Sequence, residues 1–401
     1  MNASNLSFVD VMKAFVFLAI PILFLFFLVV LVPTNSLGST GLVLILFWLL
    51  WREPDLRNRW WAVIWPWFLA VAIYFSAMSL YSFSAITALR DGARVLEGIS
   101  FSLVALYLLQ LSESQLRRAL ESVAVVLLAI VIVIVIFNLY HVGFTALFNN
   151  HGFEWNVNRN RLAVGFSMTA VFVAALMVEE QIRWKSVLWS GTLVFVCLAA
   201  VLNGSRGALV GMAFALMSII IAAVVRLGWR QVFRIDVWFL PLLSIFSTVL
   251  LFYYHKLSLD GFYDHGDGVD TGRFFIWQTV LTKLESSPWL GFGPHAIKQD
   301  VFLMPYGLTH FTHPHSIYVG LLYASGLFGV IFWIFWFWTF TSKLRNNFTA
   351  NNNLAFYLGL GVLMTTLVHG VTDFDFYMLA TMTFIIFGIV MMMPRLNINK
   401  G

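Results

Sequence analysis

The chain has 401 residues, of which 60% are hydrophobic, 17% aromatic and only 11% charged, and its mean hydropathy is +0.86; a water-soluble globular domain is excluded. A net charge of +5 and an isoelectric point near 9.3 would suit a nucleic-acid ligand only if the basic residues gathered on one face, and they do not. The lone cysteine, Cys197, lies inside an apolar run, so an internal disulfide and a thiolate metal cluster are excluded too.

Apolar runs long enough to cross a hydrocarbon core of about 30 Å recur along the whole length. They predict an all-α polytopic membrane protein, a single domain over 1–401, with twelve spans at 14–32, 37–51, 60–81, 95–111, 119–140, 162–178, 187–203, 207–225, 237–254, 316–340, 354–372 and 377–393. The first run follows Asp10 and Lys13 and ends in VPTNS without a small-residue cleavage pattern, so it is read as a retained span.

An even number of spans puts both termini on one side. With that side inside, the inner segments hold Lys13, Arg52, Arg57, Arg59, Arg117, Arg118, Arg183, Lys185, Arg226, Arg230, Arg234, Lys343, Arg345, Arg395 and Lys400, which is 15 of the 24 basic residues. The outer segments hold Arg90, Arg94, Arg159, Arg161, Arg206, Lys256, Arg273, Lys283 and Lys298. The bias follows the positive-inside rule, and because basic charge is spread over every inner loop, no nucleic-acid partner is expected. The same topology places all nine histidines at or near the outer face: His141, His151, His255, His265, His295, His310, His313, His315 and His369. Proton chemistry near neutral pH is therefore available on that face.

The connection between spans nine and ten runs for 61 residues, His255 to His315, far longer than the others, and long loops in compact proteins are usually functional or disordered. Thr271, Arg273, Phe274, Trp277 and Leu281 predict a capped amphipathic helix within it, stopped by SSPW and GFGP. Such a helix can lie on the bilayer surface as a lid over the spans.

Three constellations carry chemistry. Span seven runs through Asn203, Gly204, Ser205, Arg206 and Gly207 straight into span eight; a tight turn capped by Ser205 offers helix N-terminal amides beside a forked cation, which suits an anion, but an ordinary hairpin with a snorkelling arginine reads the same way. Arg273, just after Thr271 and Gly272, reads either way by itself; two arginines on the same face, near a histidine, suggest a diphosphate clamp more strongly than either does separately. His310, His313 and His315 precede span ten; general base, structural cap and zinc ligand all fit histidines there. Asp373 and Asp375, with His369 one turn earlier, suit orienting a histidine, binding an acceptor hydroxyl or simply facing water.

The spacing His315, Ser316, nine residues, Gly326, two residues, Gly329 resembles the signature of the bacterial O-antigen ligases. GSRGALVG at 204–211 is similar to that family's SRG turn, and TGRFFIW at 271–277 followed by PWLGFG at 288–293 is similar to its loop helix and exit. The resemblance spans roughly residues 155 to 375 in motif order, and related polymerases and protein-glycosylating transferases share parts of it. It implies transfer of O-antigen polysaccharide from undecaprenyl diphosphate to lipid A–core on the periplasmic face of the bacterial inner membrane. His315 would be the base and Arg206 and Arg273 the diphosphate clamp, with Ser205, His313, Ser316, Asp373, Asp375, His369 and Arg161 in support. Membrane lipids are the other partners; no cofactor and no metal are expected. A transporter is the competing class, but the predicted span centres hold almost no ionisable groups, and Gln110, Asn138 and His369 lie toward ends.

Overall fold

The computed structural model describes residues 51, 54–143, 159–180, 182–232, 269–306, 314–347, 352–372, 376–377 and 379–393. The predicted spans 14–32 and 237–254, and all but Trp51 of 37–51, lie outside these. Among the described residues the regular structure is entirely helical: α1 Pro54–Tyr81, α2 Ala85–Ser100, α3 Ser102–Gln110, α4 Glu113–Val142, α5 Arg159–Glu179, α6 Arg183–Asn203, α7 Arg206–Leu227, α8 Val269–Leu284, α9 Ile317–Asn347, α10 Asn353–His369 and α11 Leu379–Met391, with short turns of tighter helix at Ala296–Lys298 and Val301–Tyr306. Seven described helical segments, α2 and α3 counting as one, are long and apolar enough to cross a membrane, while α10 and α11 are shorter apolar helices. The protein is a multi-pass membrane protein.

Local sequence sets the boundaries. Ser112 and Gln115 form a reciprocal capping box at the start of α4, and Asn352 caps α10 by accepting Ala355 N–H at 3.1 Å. α5 is the centre of the bundle: from Leu162 to Met177 every side chain is buried, because α4, α6, α7 and α10 all pack on it. α10 and α11 continue the layer to α2 and α3, and α1 lies between α2 and α9.

The contacts define two ends. Arg226 donates to Asn353 Oδ1 at 2.9 Å and Arg117 pairs with Glu180 at 3.0 Å, which gathers the start of α10, the end of α7 and the α3–α4 and α5–α6 corners. At the opposite end the α1–α2 corner, the α6–α7 turn, the loop around α8 and the end of α10 come together.

Three expectations need correction. The loop helix starts at Val269, so Thr271 lies inside it and is not its cap. α8 is also no free lid: Ile276 and Val280 are buried in a cluster with Ala296, Ile297, Leu303 and Tyr323 of α9, while Phe275 and Leu281 remain exposed. Finally, α2 begins at Ala85 rather than near 95, which puts Arg90, Asp91 and Arg94 inside a helix that hydropathy alone had shortened.

Candidate active site

α6 ends at Asn203, and Gly204 adopts the left-handed conformation, φ 73, that closes a helix C-terminus. Two residues on, Arg206 opens α7. Ser205 occupies the N-cap position and its carbonyl accepts Leu209 N–H at 3.1 Å, but its side chain makes no capping bond. The expected cap is therefore a backbone feature only. The side chains of Arg206 and Arg161 lie outside the described part.

The start of α7 is pressed against the end of α10. A Cβ at Gly207 would collide with Thr372 Oγ1 and stand 3.1 Å from His369 Cδ2; one at Gly211 would stand 3.1 Å from both His369 N and Thr365 O. His369 is thus buried against the SRG turn, at 1% exposure. α10 stops at Gly370, whose carbonyl accepts Ile317 N–H at 2.8 Å. Tyr318 OH donates to Leu367 O at 3.0 Å, so the first turn of α9 is tied to the last turn of α10.

His315 immediately precedes that junction. It is half-buried and its backbone is left-handed, φ 53, a conformation that costs a side-chain-bearing residue roughly 1–2 kcal/mol and persists where neighbours enforce it. The neighbours are visible. On the C-terminal side, Ser316 is buried and accepts Val319 N–H through Oγ at 3.4 Å, while Ile317 is held by Gly370. On the N-terminal side, Trp277 Nε1 of α8 donates to Pro314 O at 2.8 Å. Arg273, half-buried, lies four residues before Trp277 on the same helix, about 6 Å along its axis and on the same face. Backbone and packing thus bring the SRG turn, the loop helix, His315, Ser316 and His369 to one end of the bundle; His313, Asp373 and Asp375 lie outside the described residues.

The glycine signature has a specific structural meaning. α9 is broken at Gly326, φ 58 and ψ −166, which releases the carbonyls of Tyr323 and Ala324 and the amides of Leu327 and Phe328 from the helical ladder. The exit of the loop helix takes them up: Phe292 N–H bonds Tyr323 O at 3.0 Å, Gly293 N–H bonds Ala324 O at 2.8 Å, and the Leu327 and Phe328 amides bond Pro288 O and Trp289 O at 2.9 and 3.1 Å. A Cβ at Gly326 would overlap the Trp289 backbone and stand 2.6 Å from Leu290 N, and one at Gly291, φ 67, would stand 2.7 Å from Gly326 N. PWLGFG is therefore spliced into α9.

Sequence reasoning missed Asp300. Buried at 2% exposure, its carboxylate accepts Phe302 N–H and Tyr323 OH, both at 2.9 Å, with Lys283 Nζ 3.7 Å away. It fastens α8 and the loop to α9, and a lone acid outside any motif gave no signal. Among the described residues no group of three or more His, Cys, Asp and Glu side chains is placed to hold a metal ion.

No curated protein matches the chain. The family model described as O-antigen ligase matches residues 191–334, a stretch running from within α6 through the SRG turn, the loop helix and His315 to beyond the break in α9, so this part of the chain is similar to the O-antigen ligases.

Proposed function

We propose that the protein is an O-antigen ligase that moves a glycan from undecaprenyl diphosphate to a sugar hydroxyl of lipid A–core, with its site on the periplasmic face of the inner membrane. The observation that carries the reading is the double anchoring of the His315 segment, by Trp277 to the helix bearing Arg273 and by Ile317 to the end of α10 that rests on the SRG turn. Twelve spans and a periplasmic loop over 255–315 complete the proposal; the described basic residues Arg57, Arg59, Arg117, Arg118, Arg183 and Lys185 fall at the opposite end, which suits the cytoplasm.

In the reaction the acceptor hydroxyl oxygen attacks the anomeric carbon while the bond from that carbon to the diphosphate oxygen breaks. The hydroxyl proton passes to the His315 imidazole, which suits a general base near neutral pH. The bond pair leaves with undecaprenyl diphosphate, whose added negative charge meets Arg206 and Arg273. In-line displacement inverts the anomeric configuration. The donor is already activated and the arginines supply the cationic stabilisation, so the transfer needs neither nucleotide nor metal, and activity is expected to survive excess chelator.

The test is to mix purified protein with undecaprenyl-diphosphate-linked glycan and lipid A–core in the absence of nucleotide. Glycan-bearing lipid A supports the ligase; lengthening of the lipid-linked donor with lipid A–core untouched makes the protein a polymerase instead.

A further inference from the structure

Asp91 is completely buried within α2, and a carboxylate in a membrane helix requires partners. It has two. Arg94 NH1, one turn along, lies 2.9 Å from Oδ1, and His295 Nδ1, from the loop after α8, lies 3.0 Å from Oδ2. His295 is held at φ 56, and with His315 it is one of just two non-glycine residues in the described chain with positive φ. That strain has to be enforced by its surroundings.

The segment 291–300 is gripped from two sides. On one side α9 holds it, through the bonds of Phe292 and Gly293 to Tyr323 O and Ala324 O and through Asp300 to Tyr323 OH. On the other, the α1–α2 corner leaves no room beside Gly293, where a Cβ would stand 2.9 Å from Ser82 Cα, and Asp91 meets His295 two residues later. α9 in turn begins at Ile317, two residues after His315. We propose that His295 and Asp91 form a positioning pair for the transfer reaction proposed above: the imidazolium–carboxylate contact seats the loop on α2 and thereby fixes the α9 break and the His315 backbone behind it. The inference rests on that functional reading for its effect on rate, but loop seating can be measured alone.

The other ionisable groups on the elements packed there are Arg90 and Glu97 on α2, Tyr81 at the end of α1, Lys298 in the loop, and Asp300 with its partners Lys283 and Tyr323. Asp300 is already engaged on the α9 side, so His295 is the loop's contact to Asp91. Seating stabilises the protonated imidazole. It is therefore complete while His295 is protonated and weakens as pH rises and that proton is lost.

The experiment measures hydrogen exchange of the Phe292 and Gly293 amides in the purified full chain, corrected for intrinsic rate, between about pH 6 and about pH 8 on either side of the ordinary histidine range. Wild-type protection is expected to fall about 10-fold or more over that interval. In His295→Asn, which tolerates the left-handed backbone but cannot be protonated, protection is expected to be low and independent of pH. Transfer by this variant is expected to lose about 10-fold or more in kcat at low pH, the scale of a modest misplacement of a reacting group, with acceptor KM unchanged. The double variant Asp91→Asn, His295→Asn guards against an effect of one unpaired partner and should match the single variant. Protection that is the same in wild type and His295→Asn at both pH values overturns the pair, whatever the transfer assay gives; pH-dependent protection without transfer by wild type upholds the pair and removes the ligase reading.

Discussion

Trp277 Nε1 donates to Pro314 O at 2.8 Å, so the peptide entering His315 hangs from the loop helix. Trp277→Phe keeps the ring and deletes the donor. A typical hydrogen bond contributes about 0.5–1.5 kcal/mol net, so the variant is expected to stay folded while kcat for transfer falls roughly 5- to 10-fold at constant donor KM. An unchanged kcat would detach the loop helix from the site.

Gly326 and Gly329 should not be equivalent. Backbone of Trp289 and Leu290 occupies the space a Cβ would need at Gly326, whereas at Gly329 the obstruction is the side chains of Ser325 and Tyr74, which can turn away. Gly326→Ala is expected to lower stability by about 1–3 kcal/mol and to abolish transfer, and Gly329→Ala to do less in both respects. Thermal unfolding in detergent and the transfer assay decide between them.

The SRG turn should couple to the end of α10. Gly207→Ala drives a methyl into Thr372 and is expected to reduce transfer strongly, while adding Thr372→Ala, which removes the colliding hydroxyl, should restore part of it. Neighbours in contact couple by about 0.5–3 kcal/mol in such cycles. Strictly additive losses would show that the two helices do not meet as described.

Much of the helical pattern was legible because spans announce themselves by uniform apolarity: the predicted 187–203 and 207–225 meet observed helices at Arg183–Asn203 and Arg206–Leu227. Charge within a helix hid the start of α2, since Arg90, Asp91 and Arg94 depress hydropathy even where the carboxylate is buried and paired. The break in α9 was hidden for another reason. A glycine reads the same whether it admits a neighbouring helix or a foreign backbone, so 316–340 was predicted as one unbroken span; only Trp289 and Leu290, far off in sequence, determine which it is. The His315 motif was legible by spacing, yet Asp300 and the His295–Asp91 contact were not, because each joins residues from elements distant in the chain.

The arginines should act through shape as well as charge. Arg→Lys at 206 or 273 retains the cation but loses the planar fork, so each variant is expected to remain impaired, with Arg→Ala worse and donor KM raised in all four. Near-normal transfer by both alanine variants would leave these side chains with no part in diphosphate binding.

The most direct measurement is the rate at which purified wild type, His315→Ala and His313→Ala transfer glycan from undecaprenyl diphosphate to lipid A–core at equal, folded protein. Removal of a general base costs about 10²- to 10⁴-fold, so His315→Ala should give no visible product while still binding donor, and His313→Ala should lose far less. Wild-type turnover by His315→Ala would contradict the assignment of His315 as the base.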